Sequence, residues 1–145
     1  LQKGIWEIPK EKMKTHIDFV CPLSRQAVDI IKQIEPYSRY KSEFVFPSPF
    51  KADRGISGAT LSDTLNKLGY QNKHTFHGFR SMFSTIAYEY YKEHGFHSDI
   101  IESCLAHKEK NKVKAAYNRE SKYKYFEEKK ELMQWWADWL DKLWK

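Results

Sequence analysis

The sequence predicts an α+β domain, mainly helical, with a small antiparallel β-sheet near its N-terminus. Three observations carry this. Two short β-type runs, residues 5–8 (IWEI) and 17–21 (IDFVC), lie close together at the start. Apolar residues recur at helical spacing through most of the remaining chain. The C-terminal stretch holds one long apolar stripe of Leu132, Trp135, Trp136, Trp139, Leu140 and Leu143, with the period of a helix packed by one face.

The two β runs flank the polar, basic PKEKMKTH, which predicts a hairpin with a long charged tip. In PLSRQAVDIIKQI, Ser24 is placed to cap a helix whose Ala27, Ile30, Ile31 and Ile34 share one face. Glu35-Pro36 is predicted to stop it, because the residue before proline disfavours helical backbone. FVFPSP is a short apolar run bounded by prolines, and KADRGISGAT reads as a loop. LSDTLNKLGY reads as a short helix ending at Gly69. Residues 75–91 form a further helical region, with Phe83, Ile86, Ala87 and Tyr90 recurring at helix spacing. SDIIESCLA is another short helix, capped by Ser98, and NKVKAAYN is compact and partly helical. The last helix runs from about Lys122 to Trp144. There are no internal repeats and no low-complexity linker, so one layered core is expected.

Composition narrows the function classes. The 145 residues are 41% hydrophobic and 16% aromatic, too apolar for a disordered tail. Thirty per cent of residues are charged and the formal net charge is +6. That balance favours polyanionic partners, nucleic acid before an acidic membrane surface. Cys21 and Cys104 form no CxxC pair, which argues against a disulfide scaffold and fits a reducing cytoplasm. No stretch is apolar enough to span a bilayer. The chain opens with Leu1 inside a structured pattern, so it is expected to be a piece of a longer protein.

Three segments carry candidate chemistry. In HGFR, His77 and Arg80 stand three residues apart, and on a helix such residues face the same way. Arginine suits a phosphate because its planar fork meets two oxygens at once, and histidine exchanges protons near neutral pH. Alone, this spacing is weak evidence, and a surface histidine beside a surface arginine reads the same. In LAHKEKNKVKAAY, His107 follows a short apolar helix and Tyr117 lies ten residues on, across a lysine-rich stretch. A tyrosine nucleophile needs help, since its ordinary pKa is about 10. A pocket holding Arg80, His77, His107 and the hairpin-tip Lys14 supplies positive field and a base. Attack by such a tyrosine on a phosphodiester keeps the bond energy in a phosphotyrosyl link, so religation needs no nucleotide cofactor.

HGFRSMFSTIAYE, IIESCLAHKEKNKVKAAYNR and ELMQWWADWLDKL together resemble the C-terminal catalytic domain of tyrosine recombinases, in particular prophage and satellite-phage integrases. The front segment, with Trp6, Ile8-Pro9, Met13-Lys14 and CPLS, is similar as well, and the resemblance covers nearly the whole chain. It implies site-specific recombination of double-stranded DNA at attachment sites, by an enzyme that acts as a homo-tetramer on DNA in the bacterial cytoplasm. It also implies that Tyr117 is the nucleophile, Arg80 the second of two phosphate-binding arginines, His77 a proton-transferring histidine, and His107 a hydrogen-bond donor to the phosphate. Lys14 stands where the family has its hairpin lysine, the general acid for the leaving 5′ oxygen. No metal and no cofactor is implied.

The chain departs from the family pattern in places. Phe79 replaces the usual Leu or Met, and Ala106 turns LGH into LAH, both read as mild packing changes. The first catalytic arginine normally precedes the hairpin, whereas Arg25 and Arg54 follow Lys14. The expected organisation is therefore residues 1–145 as a catalytic-domain fragment, without that arginine and without the arm-binding and core-binding domains. The Trp-rich tail reads as a core stripe, although in relatives the C-terminal segment can dock on a neighbouring protomer. The lysines from Lys108 to Lys124 read as tracking phosphates. Two other classes have some support: a basic, helical DNA-binding protein without catalysis, and a zinc module built on His94-x-x-His97 and Cys104-x-x-His107.

Overall fold

The structure, a computed structural model, describes residues 4–38, 42–51, 53–107 and 122–144. It is mainly helical with a two-stranded antiparallel sheet near the N-terminus. The chain forms two compact units, one of Leu1–Ala27 with Phe83–Lys145 and the other of Val28–Met82. No helix among the described residues is long and apolar enough to cross a membrane.

In the first unit, β1 (Ile5–Ile8) pairs with β2 (Phe19–Pro22), with Ile5 opposite Pro22 and Ile8 opposite Phe19. The second strand starts two residues later than the apolar run predicts. Asp18 is taken up by the tip instead, where its Oδ1 accepts from the Lys10 N–H at 2.8 Å. A single 3₁₀ turn, Lys10–Lys12, and His16 at φ 56° shape the rest of the tip. Alternation along β2 turns Val20 and Pro22 inward, as the two-residue period of a strand requires.

Helix α1 (Arg25–Ser38) begins as predicted, with Ser24 Oγ accepting from the Ala27 N–H at 3.2 Å. It does not stop at Glu35-Pro36. Proline removes one N–H and crowds the carbonyl four residues back, a cost that is small when only the final turn remains. Ser38 Oγ, itself buried, donates to the Glu35 carbonyl at 3.5 Å and supports that turn. In the second unit, α2 (Gly58–Leu65) starts three residues before the predicted helix, because Ser57 caps it by accepting from the Thr60 N–H at 3.1 Å. A wider turn, Asn66–Tyr70, continues it to Gly69 at φ 87°, a left-handed backbone suited to glycine. The FVFPSP run forms no named strand, only an isolated bridge between Pro47 and Gly55.

Helix α3 (Phe76–Glu89) is followed by the single turn α4 (Tyr91–His94) and by α5 (Ser98–Cys104). Ser98 is the first residue of α5 and not its cap; His97 holds the cap position, with no side-chain capping bond. The final helix, α6 (Phe126–Leu143), starts later than Lys122 because Tyr125 has left-handed backbone, φ 57°. Its stripe meets Phe83, Ala87, Ile100, Ile101 and Leu105 around a fully buried Leu132, a burial that contributes about 1.5–3 kcal/mol. Trp136 adds an edge-on contact to Phe83 at 5.5 Å and stacks on Trp139 at 5.4 Å. Leu143, predicted in this stripe, is 66% exposed.

One turn before Leu132, Lys129 is buried on the same face. Its Nζ donates to the Val20 carbonyl at 2.8 Å and lies 5.0 Å from the centre of the Phe19 ring. Burial holds its pKa below the ordinary lysine range, partly countered by Cys104 and Cys21. The start of α1 is tied to α6 as well. Gln134 Oε1 accepts from the Arg25 N–H at 3.0 Å, and Gln26 Nε2 donates to Asp138 and Asp141, both at 2.8 Å.

Helix α5 ends in a paired closure. The Ala106 N–H donates to the Ser103 carbonyl at 3.2 Å and the His107 N–H to the Glu102 carbonyl at 3.1 Å. This is the Schellman arrangement, which needs a left-handed residue after the last helical turn. Ala106 fills that place at φ 51°. Replacing glycine by alanine here is therefore a backbone matter as well as a packing one.

Two outcomes are expected. Ala106→Gly relieves the left-handed alanine and raises stability by about 1 kcal/mol, seen as a rise of about 3–5 °C in the thermal midpoint; an unchanged midpoint would remove the strain argument. Lys129→Met keeps the stem but leaves the Val20 carbonyl without its donor, and stability falls by about 1–3 kcal/mol in urea titration.

Candidate functional site

The segment that opens α3 is built around a close approach. Thr75 Oγ1 accepts from the Gly78 N–H at 3.1 Å and caps the helix. The His74 ring folds back over the first turn, edge-on to Phe79 at 4.5 Å. A Cβ on Gly78 would stand 2.7 Å from His74 Cε1, so glycine in HGFR leaves room for an imidazole. His74 Nε2 is covered and has no hydrogen-bond partner among the described residues. His77 and Arg80 lie on the first turns of α3 and are both exposed, on one face by their spacing. An open cleft of about 500 Å³ adjoins this segment, lined in part by Asn66, Asn72, Lys73, His74 and Thr75. His77 and Arg80 belong to the second unit, Lys14 and His107 to the first.

Lys14 is exposed in the hairpin tip, between the 3₁₀ turn and β2. His107 comes after the closure of α5 and is held twice by Glu102: through its backbone N–H, and through Nδ1, which lies 2.5 Å from Glu102 Oε2. The other carboxylate oxygen accepts from the Tyr88 hydroxyl at 2.7 Å. Desolvation of Tyr88, then its hydrogen bond to Glu102 and the charges of Glu102 and Asp99, push its pKa up to about 12. Tyr88 thus stands as a hydroxyl donor to Glu102. Neither Glu102 nor Tyr88 stands out in the sequence. The signal that could have found Glu102 is its place five residues before His107, the two ends of a Schellman closure.

Tyr117, and the lysines from Lys108 to Lys114, lie outside the described residues. At the end of that run Lys122 pairs with Glu7 at 3.5 Å, so it serves the hairpin. Arg25 is occupied at the α1–α6 junction, its Nη2 3.5 Å from Asp138 Oδ1. The backbone of Arg54 closes a turn to Lys51 and pairs with Ser48.

The zinc reading fares poorly on its own ligands. Both ring nitrogens of His94 are engaged, Nε2 with the Ala87 carbonyl at 2.7 Å and Nδ1 with the Phe96 N–H at 3.0 Å. Burial, and then the neighbouring Cys21, push the Cys104 thiol up to about 12. Among the described residues no three metal-binding side chains converge. What the described side chains offer is cationic and proton-exchanging: an arginine and a histidine on α3, a lysine at the hairpin tip, and a histidine whose Nδ1 is anchored.

The phage integrase family model matches residues 1–124. Prophage integrase IntA of Escherichia coli (strain K12) is 39% identical over 133 residues, 92% of this chain and 30% of the relative. The integrase of Enterobacteria phage P4 is 36% identical over 154 residues, covering 96% of this chain and 34% of the relative. Prophage integrase IntS of Escherichia coli (strain K12) is 35% identical over 140 residues, 97% of this chain and 34% of the relative. This chain thus spans about a third of the length of these relatives. No solved structure gives a significant match. With the family model covering most of its length and the helical fold in agreement, the chain belongs to the phage integrase family.

Proposed function

We propose that this chain is the catalytic domain of a tyrosine site-specific recombinase, which cuts and rejoins double-stranded DNA at attachment sites in the bacterial cytoplasm. The observation that carries the reading is the family match over residues 1–124, a span within which Lys14, His77, Arg80, His107 and Tyr117 fall. In this reading Tyr117 Oη attacks the scissile phosphorus. The bond from phosphorus to the 5′ oxygen breaks, and a 3′-phosphotyrosyl link forms. His77 accepts the tyrosine proton, and Lys14 protonates the leaving 5′ oxygen. Arg80 and His107 meet the charge that grows on the non-bridging oxygens. A 5′ hydroxyl from a partner strand then reverses the step, so the phosphodiester energy is conserved and no cofactor is consumed. The first phosphate-binding arginine, the arm-binding and core-binding domains, and the tetrameric assembly on DNA belong to the whole protein.

This reading is tested with the intact integrase on nicked attachment-site DNA, resolved by denaturing electrophoresis. Wild type forms a protein–DNA adduct that survives denaturant. Tyr117→Phe keeps the ring, binds the DNA with wild-type affinity, and forms no adduct; recombination by the Phe variant would sink the assignment. Arg80→Lys keeps the charge but loses the two-pronged fork. Single-turnover cleavage should fall at least about a hundredfold, the scale of removing one preorganised transition-state donor. A near-wild-type rate would make Arg80 a surface residue.

A further inference from the structure

We propose that Glu102 is the positioning residue of His107, accepting the Nδ1–H hydrogen bond so that Nε2 is the ring atom presented to the phosphate, with Tyr88 locking the carboxylate. The inference rests on the reading of His107 as a phosphate donor, and three observations in one compact unit support it. Glu102 Oε2 lies 2.5 Å from His107 Nδ1, within hydrogen-bonding contact. Tyr88 donates to Glu102 Oε1 at 2.7 Å, so the two carboxylate oxygens have different, fixed partners. The Glu102 carbonyl also accepts from the His107 N–H at 3.1 Å, which sets the imidazole and its carboxylate on a single helix end.

The chemistry depends on which atoms carry protons. A carboxylate only accepts, so the Nδ1 facing it must bear hydrogen. The tautomer of a histidine is set by the hydrogen bond its other nitrogen makes. A neutral His107 therefore exposes a bare Nε2, and a charged His107 exposes an Nε2–H donor. Glu102, and behind it Tyr88, determines that His107 donates to an anion only in its imidazolium form. Removing the partner behind a metal-ligating imidazole typically costs about 10- to 100-fold, and the same scale is expected where the imidazole faces a phosphate.

The test pairs a spectroscopic reading with a kinetic cycle, both on the intact integrase. The ring nitrogen shifts of His107 are measured in histidine-labelled protein at about pH 8, above the ordinary histidine range, with His107→Ala to assign the signal. Wild type should show hydrogen on Nδ1. Glu102→Ala should lose that preference, and Glu102→Gln should keep part of it, since an amide oxygen still accepts. Glu102→Ala should slow single-turnover cleavage about 10- to 100-fold, and Glu102→Gln less. In a His107→Ala background the same Glu102 change should have almost no further effect, because coupled residues do not add. A tautomer unchanged in Glu102→Ala, or an equal loss in both backgrounds, overturns the proposal. If wild type forms no covalent adduct, the recombinase reading fails, and the tautomer measurement still decides whether Glu102 positions His107.

Discussion

The hydrogen bond from Lys129 to the Val20 carbonyl is the constraint around which the first unit is arranged. A buried ammonium has to find an acceptor, and here the acceptor is a strand carbonyl at 2.8 Å. That contact restricts α6 to one depth and one rotation against β2. With Lys129 fixed, Leu132 falls one turn on into the cluster of Ile100, Ile101 and Leu105. Five residues after Lys129, Gln134 reaches the first free N–H of α1. A single register of α6 thus secures the strand that comes after Lys14, the start of α1, and the helix that precedes His107. A leucine at 129 would gain apolar burial and lose that register, because apolar contacts do not fix rotation as a directed donor does.

The end of α5 shows the same logic on a smaller scale. Two backbone bonds and one side-chain bond close residues 102–107. They require a left-handed residue at 106, and alanine occupies it at φ 51°. The surrounding contacts evidently outweigh a local penalty of about 1–2 kcal/mol. Leu105, packed in the core at 4% exposure, holds the residue before the turn. The imidazole after it inherits its position from the core.

Much of this was legible in the sequence, and the parts that were not have physical reasons. The fold class, the hairpin, the Ser24 cap and the glycine that ends the α2 region arise from local chemistry acting over a few residues. The boundaries that differ depend on partners distant in sequence or on a cost set by position. Asp18 leaves the strand for a bond eight residues back. Pro36 is tolerated because it sits in a final turn. Of the candidate site, the residue types at 14, 77, 80 and 107 were legible by resemblance, and the structure adds where each one sits. The His74 ring over Gly78 was not legible, since no local pattern says that an imidazole will fold back over the next turn. Glu102 and Tyr88 were hidden too, because their roles depend on a hydroxyl from α3 meeting a carboxylate on α5.

That meeting changes what a histidine at this place can do. Viewed as a residue type, His107 is equally an acceptor, a donor or a base. Once Nδ1 is committed to Glu102, only Nε2 remains, and its character depends on one further proton. Tyr88 restricts the choice again. Its hydroxyl proton is held more firmly than a free tyrosine's, so it continues to donate to Glu102. The carboxylate keeps its orientation, and the imidazole keeps its place. A donor that appears on an already oriented ring needs no reorganisation when charge develops on a phosphate oxygen, and preorganisation of this kind is what makes a hydrogen bond effective in a transition state.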